Sequence, residues 1–489
     1  MMKRSVAVGL LIGAVAGCIV GALVRSRRGA SDGPVVAATA VGRNARLARL
    51  GARAGARHTV AGAQRVFASA ARREEIDRRV ELRHAEDVAR ELGAMKGALM
   101  KLGQMISYLD EGLPEHVRTA LAQLQQDAPP MSVELAAQMI EEQLGAPPDQ
   151  VFATFDPDPI AAASIGQVHR AITHDGRAVA VKVQYPGIAE AVESDLGNVG
   201  LLFGSIGRAY PGFETGPLVD ELRERLREEL DYRLEARRQQ TFADYYADHP
   251  FVHVPAVIPA LSAARVLTTE LAEGVRFAEA ETWSADQRDL AGEAIFRFVF
   301  RSFYRLHLFN GDPHPGNYLF RPDGHVTFLD FGLVKRFTSA EVDLIGSMLE
   351  AMVVHRDIKA YRRLVEEIGM LAPGNTFTDD EIQDYFGHFY DFVQRDEVST
   401  LTPEYASETV RRFFDASGPH GPIMKAANVP PTFVIIQRIN LGLYAIFGQL
   451  RATANWRRIS EEIWPFVEGP PSTELGRQAA AWAAERGHR

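Results

Sequence analysis

Apolar and polar positions divide the chain into an apolar head, a charged helical stretch, a strand-rich middle and a long helical remainder. Residues 5–24 are twenty uncharged, mostly apolar positions, long enough to cross a bilayer as a helix. Residues 29–70 are rich in Ala, Gly and Arg and weakly patterned. They fit a linker with a basic helix on a membrane surface, or a solvated linker. From 74 to 109 the chain has no proline and many helix formers, so a long helix is predicted. Val179-Ala-Val-Lys182-Val183 reads as an apolar strand carrying one lysine. Residues 218–244 predict a long charged helix and 284–309 another, the latter with Ser284 and Gln287 at capping-box spacing. Between 317 and 329, two short apolar runs flank a turn at Pro322-Asp-Gly324. That hairpin brings Asn317 and Asp330 to the same end. Residues 433–450 are apolar but interrupted by Gln437, Arg438 and Asn440, which predicts a buried core helix rather than a second span. After Pro465 the chain turns polar and Ala-rich and reads as a surface tail.

Charge sharpens the reading of the head. Residues 1–60 carry ten Lys/Arg against one Asp/Glu, or +9, and the whole chain is −9, which leaves −18 on the rest. An acidic body excludes nucleic acid as the main partner, and a basic head favours an anionic membrane surface. Gly9, Gly13, Gly17 and Gly21 line one helix face, where another helix, such as that of a second copy, could approach closely. A cleaved signal peptide also fits Lys3-Arg4 and the apolar run, and Val15-Ala-Gly-Cys18 has the form of a lipoprotein signal. The apolar run continues past Cys18 and ends in Arg25-Ser-Arg-Arg28, so a retained single-pass helix with the body in the cytoplasm is the reading adopted. At 489 residues there is room for two or three domains, and the single cysteine excludes an internal disulfide framework.

The chemistry concentrates in residues 311–332. Asp312 is followed five residues later by Asn317, and Asp330-Phe331-Gly332 closes the stretch. A kinase catalytic loop needs an Asp to orient or deprotonate the acceptor and an Asn at that spacing on a metal. The Asp of Asp-Phe-Gly holds the Mg²⁺ that bridges the phosphates. Ala161-Ala-Ala163-Ser164-Ile-Gly166-Gln-Val168 keeps the spacing of a kinase glycine-rich loop, with alanine in the first two glycine positions. Taken by itself, such an Ala-rich stretch is also the pattern of a helix. Lys182 stands where a kinase lysine meets the α/β-phosphates. A second segment, His355-Arg356-Asp357, copies an ordinary kinase catalytic loop. It is rejected, because Arg362 occupies the position that needs Asn and the segment follows Asp-Phe-Gly rather than preceding it. No Ala-Pro-Glu follows Gly332.

Asp312-Pro-His-Pro-Gly-Asn317 followed by Asp330-Phe331-Gly332 resembles the UbiB/AarF/ADCK family of atypical kinases, tied to ubiquinone and related prenyl-lipid metabolism. The resemblance covers about residues 85–465. Lys101-Leu-Gly103-Gln104 resembles that family's Lys-x-Gly-Gln signature, carried on a helical extension thought to fold over the active site. Glu229-Leu-Asp231 is similar to its Glu-x-Asp motif, and residues 266–274 to the strand and hinge where adenine binds. The resemblance implies ATP or ADP as ligand, with Mg²⁺ on Asn317 and Asp330 and with Asp312 as base or water-orienting group. It implies Ala161, Ala163, Ser164, Gly166, Val168, Lys182, Glu270, Lys101 and Gln104 around the nucleotide. Glu229 is expected to pair with Lys182 or with Lys101. One departure is Asn310-Gly311, where the family usually has His-Ala.

The expected architecture is α+β: a two-lobed protein-kinase-like fold with an N-terminal helical extension and a predominantly helical large lobe, preceded by one transmembrane helix. The expected divisions are an anchor at 1–28, a basic linker at 29–84, the extension at 85–150, a small lobe at 151–275, a large lobe at 276–468 and a tail at 469–489. The expected function is a membrane-associated atypical kinase or ATPase acting on a small molecule or lipid in quinone metabolism, with proteins of the prenylquinone pathway and membrane lipid as partners. The alternative is a nucleotide-gated lipid-binding or scaffold protein without phosphotransfer.

Overall fold

The computed structural model describes residues 132–163, 165–186, 188–189, 227–414 and 418–487. Residues 131–184 and 224–489 belong to one compact unit. The helix expected at 5–24, the linker after it and the Lys101–Gln104 segment lie outside the described residues. Among the described residues no helix is long and apolar enough to cross a membrane.

Helix α1 (Val133–Leu144) starts on Ser132, whose hydroxyl accepts from Leu135 N–H, and ends on Gly145 in the left-handed region. It buries Ala136, Met139 and Ile140, the spacing of one helix face. Strands β1 (Thr154–Ala163), β2 (Gly166–Ile172), β3 (Ala178–Gln184) and, after the short β4 (Val252–His253) of the large lobe, β5 (Val266–Glu270) follow. The order β1-β2-β3-β5 makes one antiparallel sheet. Val179, Val181 and Val183 alternate into a small core with Met139, Ile140, Phe152 and Val266. Thus α1, expected to close the extension, is part of the small lobe's own packing. The same alternation turns Lys182 to the opposite face of β3.

The Ala-rich stretch is strand rather than helix, with Ala161 opposite Val168, Ala162 opposite Gln167 and Ala163 opposite Gly166. Ser164, at the tip, lies outside the described residues. The helix expected at 218–244 is interrupted. One turn at 227–229 ends at Leu230, and the Asp231 carboxylate accepts from Arg233 N–H at 3.0 Å to start α2 (Tyr232–Tyr245).

In the large lobe, α3 (Ala285–Leu306) begins with the capping box of Ser284 and Gln287. It ends at His307, left-handed at φ 53°, so Phe309 lies on β6 (Leu308–Asn310) and not on the helix. Strands β7 (Tyr318–Phe320) and β8 (Val326–Phe328) form the expected hairpin, and β8 runs parallel to β4. β6 pairs antiparallel with β9 (Val334–Arg336). Helices α4 (Ser339–Leu349), α5 (Ile358–Glu367), α6 (Asp379–Phe386), α7 (Pro403–Phe414), α8 (Pro431–Leu450) and α9 (Glu474–Glu485) follow, with several shorter helical turns between them. Phe298 stacks on Phe328 with centroids 3.6 Å apart, tying α3 to the hairpin. Asp357 of the rejected segment accepts from Ala360 N–H at 2.9 Å and serves as the cap of α5.

The C-terminal segment is not a surface tail. Leu475, Ala479, Trp482 and Ala483 of α9 are buried in the main core, and the Trp482 indole donates to the Ala247 carbonyl at 3.1 Å. Just before α9, Thr473 accepts from Arg297 at 3.0 Å. Arg297 is 5% exposed and also meets Glu293 at 2.7 Å and Glu462 at 2.8 Å.

Candidate active site

The face of β3 that avoids the small core carries the site's only lysine among the described residues. The Lys182 ammonium stands 2.7 Å from Glu235 Oε1, 3.5 Å from Asp330 Oδ2 and 5.0 Å from the centroid of the Tyr232 ring. The two paired side chains are almost dry, 16% exposed for Lys182 and 4% for Glu235. Burial alone lowers an ammonium pKa, but here Asp330 and Glu235 outweigh it and hold Lys182 well above the ordinary lysine value. Burial raises the Glu235 carboxyl, with Lys182 opposing it. The ammonium therefore stays charged at neutral pH.

Glu235, not Glu229, is the partner of Lys182. Asp231 starts a new helix, so the helical phase is reset between the two glutamates, and Glu235 falls in the first turn of α2. The alternative partner Lys101 lies outside the described residues. Glu228 on the preceding turn meets Arg238 at 2.9 Å, and Arg238 also donates to the Gly332 carbonyl at 2.7 Å. Phe331 is fully buried against Phe242 of α2, with ring centroids 4.9 Å apart. Helix α2 thus grips both the lysine and the Asp-Phe-Gly segment.

The large-lobe half is set by backbone. Tyr318 pairs with Phe328, and Leu329 N–H donates to the Asn317 carbonyl at 3.0 Å, so Asn317 and Asp330 flank the last rung of the hairpin. The Asp312 carbonyl accepts from His314 N–H at 2.8 Å and from Asn317 Nδ2 at 2.9 Å, which folds the loop back on itself. Asp330 Oδ1 accepts from Gly332 N–H at 2.9 Å. The sequence reading gave Asn310 no role. Its amide donates to the Asp330 carbonyl at 3.0 Å and its Oδ1 lies 3.4 Å from Asp312 N, clipping the two motifs together. Gly311 donates to the Leu333 carbonyl at 2.7 Å and leaves little room, since a Cβ there would lie 3.1 Å from that oxygen. Gly442 of α8 was also missed; a Cβ on it would meet Pro313 Cγ at 2.4 Å, so the helix backbone supports the catalytic loop directly.

Around the nucleotide positions the picture is mixed. Val168 stands directly opposite Lys182 across β2 and β3, hence on the same face of the sheet. Gly166 has a packing reason to be glycine, because a Cβ would lie 2.2 Å from the Val183 carbonyl oxygen. Glu270 N–H donates to the Ala256 carbonyl at 2.8 Å and Leu271 N–H to Ala178 at 3.1 Å. A base docking at this hinge would have to use other backbone groups. Lys101, Gln104 and Ser164 lie outside the described residues.

Among the described residues there is no group of three or more His, Cys, Asp or Glu side chains that could fix a metal alone. Mg²⁺ does not require one, since it favours one or two protein oxygens with waters and substrate phosphates. The donor set of one carboxylate and one carboxamide, Asp330 and Asn317, fits that preference.

The chain is similar to known atypical kinases. The sequence profile described as the ABC1 atypical kinase-like domain matches residues 123–365. The chain is 36% identical over 263 residues to the mitochondrial atypical kinase COQ8B of Rattus norvegicus, covering 53% of this chain and 50% of that protein. It is 35% identical over 299 residues to AarF domain-containing protein kinase 1 of Mus musculus, covering 59% and 56% respectively. The chain thus spans about half the length of these curated relatives. The solved complex of Rv3197 with erythromycin, from Mycobacterium tuberculosis, superposes with a TM-score of 0.60 at 32% identity, covering 81% of this chain and 100% of that one.

Proposed function

The chain belongs to the UbiB/AarF/ADCK family of atypical kinases, and on that premise we propose that it binds ATP or ADP with Mg²⁺ and uses the nucleotide on a small-molecule or lipid substrate, in quinone or prenyl-lipid metabolism. The observation that carries this reading is Lys182 held between Glu235 and Asp330, beside the hairpin end that carries Asn317. A charged, oriented ammonium is what α/β-phosphates need. Asp330 and Asn317 would hold the metal, which when bound neutralises phosphate charge. Asp312 would orient the acceptor hydroxyl or a water, giving phosphotransfer in the first case and hydrolysis in the second. Attachment to membrane through residues 5–24, with the body in the cytoplasm and pairing through the glycine face, completes the proposal and rests on the sequence.

The test is ATP turnover by the purified full chain, with and without anionic liposomes and phenolic quinone precursors. Mg²⁺-dependent turnover, raised by liposomes and lost in Asp312→Ala, is expected. Alanine at 161 and 163, which limits how closely backbone can approach phosphate, supports a second reading as a nucleotide-gated scaffold. Nucleotide binding without turnover in every arm would favour that reading and defeat the first.

A further inference from the structure

Lys182 belongs to a row of residues along one face of the small-lobe sheet. Ala161 stands opposite Val168, Val168 opposite Lys182, and Lys182 opposite Leu267, and residues directly opposite share a face. In the order β1-β2-β3-β5 the ends of this row lie on opposite edges, about 14 Å apart at the usual strand spacing. The chain leaves the sheet at Glu270, the end of β5, and is soon anchored on the large lobe. Val275 and Phe320 of β7 exchange two hydrogen bonds of 2.9 Å, and Phe277 meets the Phe320 ring edge-on at 5.8 Å. Gly274, at φ 150°, permits this close approach, since a Cβ there would lie 3.0 Å from the Phe320 carbonyl oxygen. Arg276 is thereby rooted on the strand that follows Asn317.

From that root the Arg276 side chain reaches back to the far edge of the sheet. Its Nη2 donates to the Ile160 carbonyl at 2.8 Å. Ile160 immediately precedes Ala161, the end of the row. Pro159 pairs with His169 and Ala161 with Val168, so Ile160 is the extra residue of a β-bulge and has no partner of its own on β2. Pro157 and Pro159 supply no backbone donors just before it. The strand leading into the Ala-rich loop is therefore weakly laddered, and a guanidinium from the large lobe holds it. The Lys182 face is bridged on its β1 side, from sheet to hairpin, by this hydrogen bond.

We infer that Arg276 is a positioning residue of the nucleotide site, latching the strand that leads into the Ala-rich loop onto the β7–β8 hairpin, and that nucleotide enters and leaves when this latch opens. The inference rests on the nucleotide reading of the Lys182 face. Both partners are exposed, so water replaces the bond at modest cost and the fold does not depend on it. The bond is made without a ligand, so its opening precedes entry and release alike. A latch of this kind sets the two rates together and leaves the affinity unchanged. An ordinary contact to the nucleotide would instead slow release alone.

Stopped-flow association and release of a fluorescently labelled ADP with Mg²⁺ provide the test, on the full chain as wild type, Arg276→Met and Arg276→Lys. Methionine keeps an apolar stem and removes the donor. It should raise both rate constants about fivefold, the net worth of one hydrogen bond, and leave their ratio unchanged. Lysine keeps a donor and should restore most of the wild-type rates. In the ligand-free proteins, amide exchange across residues 160–163 should quicken in Arg276→Met and stay unchanged across 179–183. Faster release with unaltered association would overturn the inference, and so would a lysine variant as fast as the methionine one. Rates and exchange equal to wild type in Arg276→Met would sink it while leaving the nucleotide reading intact. If the wild type takes up no nucleotide, that reading fails and the inference falls with it.

Discussion

Lys182 and Asn317 both come to the neighbourhood of Asp330, one held by charge and the other by backbone. On the small-lobe side, a nearly dry ammonium on β3 is fixed by two carboxylates, Glu235 of α2 and Asp330 of the Asp-Phe-Gly segment. On the large-lobe side, the hairpin register and the Asp312 carbonyl set Asn317 before any side-chain charge is counted. The two halves should therefore fail differently. Removing one carboxylate from the first leaves the buried ammonium with one counter-ion in place of two. An isosteric change in the second leaves the fold and removes only what the side chain offers a ligand.

The largest expected effect is on the charged half. Glu235→Ala should cost about 3 kcal/mol in urea unfolding, the usual result of breaking a buried pair from one side. The double change Lys182→Met, Glu235→Leu should recover most of that loss, because it removes both charges together. If the single change is silent, charge does not hold this half and the comparison collapses.

A group that burial keeps neutral gives the contrasting case. His249 is pushed down to about 3, first by burial and then by Arg301 and Arg297, and its Nδ1 accepts from Val252 N–H at 3.1 Å. A lowered folded pKa means that the unfolded chain takes up the proton first. The stability from this group is present above about pH 6.5 and is lost as pH falls toward 3, by up to about 1.4 kcal/mol per pH unit. His249→Gln should flatten that part of the stability profile, measured by urea unfolding between pH 7 and 4. An unchanged slope would mean that other groups carry the acid sensitivity.

The backbone-held half should respond less. Asn310→Ala leaves the Asp330 carbonyl without its donor and should cost about 1 kcal/mol, read by thermal unfolding. A loss as large as that of Glu235→Ala would erase the distinction between the halves. Smallest in stability should be Ala163→Gly at the end of β1, a few tenths to about 1 kcal/mol. Its effect belongs in the ratio of ATP to ADP affinity, and an unchanged ratio would separate this loop from the nucleotide.

The same contrast explains what could be read from the sequence. The hairpin was legible because its turn residues and alternating strands act locally, and with it came the meeting of Asn317 and Asp330. So was Lys182, the one charged residue in a strand of valines. Glu235 was not legible. A run of charged residues reads as one helix, and nothing in it announced that Asp231 would cap a new one and shift the inward face by six residues. Asn310 was visible only as a departure from the family wording. The docked C-terminal helix was missed because alanines at its buried positions carry little hydrophobic signal, and Trp482 alone did not establish a face. Phe309 looked helical because the apolar run continued past His307, where the backbone turns left-handed.

Thermal unfolding with nucleotide, comparing wild type with Asp330→Asn, tests the central claim most directly. Asparagine keeps an oxygen for Gly332 N–H but removes one of the two carboxylates that hold Lys182, so the ligand-free midpoint should fall, and the comparison is of the shift that Mg²⁺ adds in each protein. Mg²⁺ should add to the stabilisation by ATP or ADP in the wild type and add nothing in the mutant. An equal Mg²⁺-dependent shift in both proteins would contradict it.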